Sequence, residues 1–236
     1  MSTARPPRSG DGHAVVTTEK WVFGEPPLPT VVELAGELRA LTSTVLTLEQ
    51  TSPELEALVQ TVRDAQRVLA EQAPSDLRPR VGDAPTDEQR VYVDHGYDIG
   101  TYNPCFPEYT LEVEGTSGHG TVEFPLCFEG PPGIVHGGFL AVFFDCVLQQ
   151  LNCDLGRAGK TAGLALRFRR PTPLRTRLRV TATREIDGER IHNHAELFVG
   201  ETLLCSADMS AVAGNRVGLP AVSPRRDHDD PPEERR

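Results

Sequence analysis

Residues 137–155, GGFLAVFFDCVLQQLNCDL, decide the architecture. Their apolar side chains fall around most of a helical circumference, and Gly156 supplies the stop. Projected at 100° per residue, Gly138, Ala141, Asp145, Gln149 and Asn152 share one narrow stripe of small and polar side chains, with Leu140, Phe143, Val147 and Leu151 roughly opposite. A helix this apolar must be covered on most of its sides.

The flanking sequence provides the cover. Ahead of the helix, TLEVEG (110–115) and GTVEFPLCFEG (120–130) read as a strand pair joined at Thr116-Ser117-Gly118. After it come four strand segments, 161–169, 174–186, 190–199 and 202–213, with turn signals at Asp187-Gly188 and Gly200-Glu201. Two strands, one long apolar helix and four strands predict an α+β domain over residues 108–213: a single antiparallel sheet curved around the helix, the hotdog fold. Such an architecture carries no activity by itself.

Further out, residues 31–50 place Val31, Leu34, Leu38, Leu41, Val45 and Leu48 at helical intervals. Ser52 and Pro53 then open a second amphipathic helix striped by Leu55, Leu58, Val62, Ala65 and Leu69. This pair could pack on the main domain, pair between subunits or recruit a partner, and its pattern does not choose. Residues 73–107, with five prolines and no sustained period, read as a linker that completes a helical extension over 31–107. Residues 1–30 and 214–236 read as poorly ordered tails.

Composition narrows the function. No apolar run approaches the ~20 residues of a membrane span, and the opening MSTARPPRSGDGH has no apolar signal core, so a cytoplasmic protein is expected. Five cysteines at 105, 127, 146, 153 and 205 form no CxxC pair and read as free thiols, with no metal site expected. The formal charge is -10, but it is divided unevenly: residues 1–130 carry -12 and residues 131–213 carry +2. Residues 160–180 hold seven basic side chains and no acid. On an acidic chain that favours a small polyphosphate over nucleic acid, or merely solvates the outer face of a strand pair. Arg39, Arg63 and Arg67 are outnumbered by acids on the helical pair, which argues against a DNA-binding helix-turn-helix. His192 and His194 flank Asn193 and read as surface-face histidines.

The chemistry centres on GIVHGGFLAVFFD, residues 133–145. His136, Gly137 and Gly138 open the helix, where the first N–H groups lack intrahelical partners and lie at the positive end of its dipole. Glycine leaves them open to a ligand oxyanion. Asp145 stands in an apolar context, where a carboxylate is costly unless bonded or facing a wet cavity. It fits a structural acid bonded to a neighbouring strand, or a general base with a raised pKa.

The string Gly-Ile-Val-His-Gly-Gly, Asp145 nine residues after His136, and Thr161 followed by LALRFRRPTPL resemble the hotdog-fold acyl-CoA thioesterases of the phenylacetate-degradation and 4-hydroxybenzoyl-CoA thioesterase type. The resemblance covers residues 108–213 and implies hydrolysis of an acyl-CoA or acyl-carrier thioester to a free acid and a thiol. It implies that the Gly137 N–H polarises the thioester carbonyl, that His136 fixes the turn, and that Asp145 acts as nucleophile or general base with Thr161 holding the water or the carboxylate. Gly138 and Gln149 would line the substrate, and Arg169 and Arg170 lead the basic residues available to coenzyme A phosphates. Coenzyme A would enter as part of the substrate, with no other cofactor. The site would form between subunits of a homodimer or a dimer of dimers. The competing reading is a non-catalytic acyl-CoA-binding protein with a regulatory or scaffold role.

Two features depart from the family pattern. Some relatives carry an Asn or Gln ahead of the helix, where this chain has Glu129-Gly130-Pro131-Pro132. Strand alternation also puts Thr161 with Gly163, Ala165, Arg167 and Arg169, opposite Leu164, Leu166 and Phe168, and therefore pointing away from the helix unless the strand bends near its start.

Overall fold

The computed structural model describes residues 23–94, 98–154, 159–213 and 221–225. Its elements run α1 (Pro29–Val45), α2 (Pro53–Gln72), β1 (Asp76–Pro79), β2 (Gln89–Arg90), β3 (Tyr109–Glu114), β4 (Ser117–Val122), α3 (Gly137–Asp154), β5 (Gly159–Phe168), β6 (Leu178–Asp187), β7 (Arg190–Val199) and β8 (Thr202–Ala213). Strands β3 to β8 form one six-stranded antiparallel sheet in the order β3-β4-β6-β7-β8-β5, which packs against α3. This is the hotdog architecture expected from the helix and its flanks.

The core forms where α3 meets the sheet. Leu140, Phe143, Phe144, Val147, Leu148 and Leu151 are each at most 2% exposed. Burying each such side chain contributes about 1.5–3 kcal/mol. Phe143 meets Tyr109 and Phe124 edge-on, with ring centroids 5.6 and 5.5 Å away. Such contacts add about 0.5–1.5 kcal/mol beyond area alone. At the far end of the polar stripe Asn152 is fully buried, and it exchanges two side-chain hydrogen bonds with Asn193 of β7, at 2.8 and 3.2 Å. The alternation that turns Asn193 inward leaves His192 and His194 exposed on the outer face. There His194 Nδ1 lies 2.7 Å from Asp208 on β8.

Several boundaries move for local reasons. The strand expected over 120–130 occupies 117–122, because Pro125 ends pairing and Leu126–Phe128 coil into a 3-10 turn. Helix α1 stops at Val45 rather than 50. The hydroxyls of Thr42, Ser43 and Thr44 bond back to carbonyls one turn earlier, a competition that weakens helices. Helix α2 starts as expected, with Ser52 accepting from Leu55 N–H at 3.3 Å and Pro53 in the first turn. The expected linker contains the short parallel β1–β2 pair and a 3-10 turn at Ile99–Thr101. Parts of both expected tails are placed against this region. Phe23 packs edge-on against Tyr92, and Val222 bridges to Val81. Residues 1–22, 214–220 and 226–236 lie outside the described residues.

The extension docks through α1. Arg39, only 6% exposed, donates to the Gly100 carbonyl and to Glu108 Oε2 at 2.8 Å. Ser43 Oγ accepts from Cys127 N–H at 3.3 Å. Helix α2 buries no residue, and Val59, Val62, Val68 and Leu69 are exposed on it.

Beneath Arg39, Asp98 accepts from Gly100 N–H at 3.1 Å. Burial pushes its carboxyl up to about 7; Glu108 adds to the rise, while backbone hydrogen bonds from Tyr109 and Gly100 and the Arg39 charge oppose it. The folded state therefore binds this proton more tightly than the unfolded chain, whose value is near 3.8. The stabilisation is complete below that unfolded value and lost as pH rises to the folded one. Asp98→Asn has no such loss. Thermal midpoints measured from pH 4 to 8 will show the variant gaining on wild type up to about pH 7 and holding level above it. A constant difference across that range contradicts the assignment.

Candidate functional site at the start and middle of α3

The start of α3 is held by a tight turn. Gly130 N–H bonds to Ile134 O at 2.8 Å, Glu129 Oε1 accepts from Gly133 N–H at 2.6 Å, and Val135 N–H bonds to Thr172 O at 2.9 Å. His136 then caps the helix: its carbonyl accepts from Phe139 and Leu140, and its Nδ1 accepts from Gly138 N–H at 3.0 Å. A ring nitrogen that accepts carries no proton, so the neutral tautomer here is protonated at Nε2. The cap divides the two glycines. Gly138 spends its N–H on His136, whereas the Gly137 N–H, at the first helical position, has no acceptor among the described residues. A Cβ built at Gly137 would sit 3.2 Å from the Phe168 ring, so the glycine lets that ring lie close over the helix start.

Two turns along the helix, Asp145 is partly buried rather than enclosed. Its Oδ1 accepts from Thr161 Oγ1 at 2.8 Å, and Thr161 in turn accepts from Gln149 Nε2 at 2.6 Å. The orientation of Thr161 corrects the expectation from strand alternation. The β5–β8 register slips between Thr161 and Gly163, so Ala162 is an extra residue and parity is reset at that point. Such a bulge turns a side chain to the other face, and here it aims Thr161 at the helix. Gln149, expected to touch substrate, donates one amide N–H to Thr161 and so also helps to orient the carboxylate.

Arg169 and Arg170 stand beyond the end of β5, both exposed. Arg170 Nη1 donates to Leu203 O at 3.0 Å, while the Arg169 guanidinium has no partner among the described residues. With Gly137, Leu140, Phe168 and Thr172 they line a cavity of about 380 Å³. Phe168 and Thr172 escaped sequence reasoning. Phe168 was legible only as one member of an alternating strand, and no local signal marks Thr172. Among the described residues no group of three His, Cys, Asp or Glu side chains gathers in a way that would hold a metal ion.

No side chain fits at residue 130. A Cβ at Gly130 would lie 2.8 Å from His136 Cα and 2.9 Å from its Cβ. The helix start therefore presents a backbone donor without a side-chain companion from residue 130.

The chain matches no protein-family model and no curated protein sequence. Among solved structures, one described as a thioesterase superfamily protein is 29% identical, with a TM-score of 0.65 over 81% of this chain and 99% of its own. Everything from residue 108 onward is little over half of the chain, so that likeness extends into the region of the helical extension. A phenylacetic acid degradation-related thioesterase from Ralstonia eutropha JMP134 is 24% identical, with a TM-score of 0.41 over 44% of this chain and 83% of its own. A hypothetical thioesterase protein with coenzyme A from Streptococcus pneumoniae TIGR4 is 17% identical, with a TM-score of 0.42 over 45% and 88%.

Because residue 130 abuts the backbone of His136, Gly130→Ala forces the turn to shift. The expected cost is about 1–3 kcal/mol, the usual range for overpacking, read from urea midpoints. An unchanged midpoint contradicts the close approach.

Proposed function

We propose that this chain, which belongs to the hotdog-fold thioesterase superfamily, hydrolyses acyl thioesters of coenzyme A or of an acyl carrier at a site shared between two copies. The observation that carries the proposal is the division of groups along α3: an open amide at Gly137 and a carboxylate at Asp145 that Thr161 and Gln149 hold in place. The two lie eight residues apart on one rigid helix, a rise of about 12 Å. A reacting carbonyl must approach both within about 3 Å. One chain cannot achieve this, but two helices related by a two-fold axis can, with the start of one facing the middle of the other. Strand β5 supports such pairing, since it is a sheet edge with an open ladder of backbone groups.

In this reading the Gly137 N–H of one copy donates to the thioester oxygen, and charge developing there is met by the helix dipole. Asp145 of the partner subunit either takes a proton from the attacking water or attacks the carbonyl itself. Thr161 fixes one carboxylate oxygen and leaves the other for the reaction. As a base, Asp145 returns the water's proton to the departing thiolate as the C–S bond breaks. As a nucleophile it forms a mixed anhydride as the thiolate leaves, and water then cleaves that anhydride to the free acid and the restored carboxylate, supplying the proton that the thiolate takes up. Protein groups alone supply this chemistry, and coenzyme A enters only as the substrate's thiol. The exposed Arg167, Arg169, Arg175 and Arg177 favour its anionic nucleotide end. No helix among the described residues is long and apolar enough to cross a membrane.

Asp145→Ala is expected to lower kcat on a responsive acyl-CoA by at least about 100-fold, as for loss of a positioned general base, with far-UV circular dichroism unchanged. A loss of less than threefold contradicts the role of Asp145. If wild type binds acyl-CoA and turns over no thioester, the non-catalytic binder is the correct description.

A further inference from the structure

Helix α2 carries an apolar face that its own chain leaves open. The helix buries no residue, and Val62 and Leu69 are 51% and 56% exposed. An exposed apolar stripe of this length on a folded protein marks a contact surface, and its residue pattern shows what fits there.

The face is symmetric about Val62. Leu55 and Leu69 stand seven residues to either side of it, and Val59 and Ala65 three residues to either side. At 100° per residue all five lie within about 60° of the Val62 direction and form one stripe. Turned end for end, the stripe falls on itself. A second α2 laid antiparallel sets Leu69 against Leu55, Ala65 against Val59 and Val62 against Val62, while Leu58 falls opposite Gln66. A two-fold contact requires such self-complementarity, because each copy offers the other the same patch. An unrelated partner imposes no symmetry on the helix.

The charges obey the same symmetry. Glu56 and Arg67 project on one flank of the stripe, at about 120° and 140° from Val62. A two-fold axis at the level of Val62, perpendicular to both helices, sets this flank against its own copy. Glu56 lies six residues before Val62 and Arg67 five after it. Glu56 therefore meets Arg67 of the partner subunit within about 1.5 Å along the helix axis, one residue's rise. Each contact holds two such pairs. Within one chain Arg67 reaches Asp64 of its own helix at 3.8 Å, with both side chains exposed, a pair that contributes little. Four acids on α2, Glu54, Glu56, Asp64 and Glu71, against Arg63 and Arg67 also disfavour an anionic lipid surface, which calls for basic flanks.

We propose that α2 packs antiparallel against α2 of a second copy, about a two-fold axis at Val62, through this stripe and the paired Glu56 and Arg67. The contact does not depend on the hydrolytic reading and survives or fails separately from it.

The test is disulfide formation at single introduced cysteines in the full chain, under mild oxidation, with the linked positions read by peptide mass spectrometry. Val62→Cys is expected to link to itself at least about tenfold faster than Ala57→Cys on the opposite side of the helix, because a held neighbour exceeds chance collision. In the antiparallel register Leu55 and its own copy are roughly 21 Å apart along the axis, as are the two copies of Leu69. Neither Leu55→Cys nor Leu69→Cys should then link alone, and the two should link when mixed and left to exchange subunits. Peptide mapping separates these links from any made by the exposed Cys105. In the Val62→Cys background, Arg67→Glu should slow linking by about tenfold, as two exposed pairs turn repulsive, and Glu56→Arg added to it should restore the rate. Unchanged circular dichroism checks that each variant is folded. The proposal is overturned if residue 62 links no faster than residue 57, or links to a position outside α2. It is equally overturned if the mixture of Leu55→Cys and Leu69→Cys stays unlinked, or if the double charge reversal links no faster than the single one.

Discussion

Covering α3 on nearly every side is the constraint from which the other features follow. An 18-residue helix with six large side chains almost wholly withdrawn from water needs a sheet that bends around it, and six antiparallel strands provide one. The same burial makes the helix a rigid ruler. Its first amide and its carboxylate are held at a fixed separation of about 12 Å by helical geometry, and neither can travel toward the other without dismantling the core. In the proposed reaction these groups therefore act from two copies laid side by side.

The polar stripe shows how a buried helix accommodates chemistry. Asn152, at its inner end, is satisfied by Asn193 and serves the fold. Asp145 and Gln149 are tied to Thr161, an exposed residue on the edge strand, and so remain near solvent. The helix start is organised by the opposite device: His136 takes up one glycine amide and the other stays open. Gly130 adds no side chain beside that donor, because the turn that aims the helix leaves no room for one.

Much of this was legible from residue spacing. The period of α3, the strands behind it and the stripe of Gly138, Asp145 and Gln149 are local patterns, and the structure reproduces them. The orientation of Thr161 was not legible, because it depends on a one-residue slip against β8, and β8 lies some fifty residues away in sequence. Alternation taken alone gave the wrong face. The role of Gln149 follows from the same slip. Thr172 and Phe168 depend on chain segments meeting around the helix start, which no window of neighbouring residues encodes. The end of α1 reflects hydroxyl competition within a periodic stretch, where apolar spacing outlasts the helix itself.

The most direct test of the shared site is to mix two inactive variants, Asp145→Ala and Gly137→Val, and assay the mixture after subunit exchange. Under the proposed two-fold arrangement, each mixed dimer holds one intact pair of groups and one doubly defective pair. Random exchange should then restore about a quarter of wild-type activity. A mixture as inactive as its parents, with exchange verified by differential labelling, would contradict the claim that the amide and the carboxylate act from different copies.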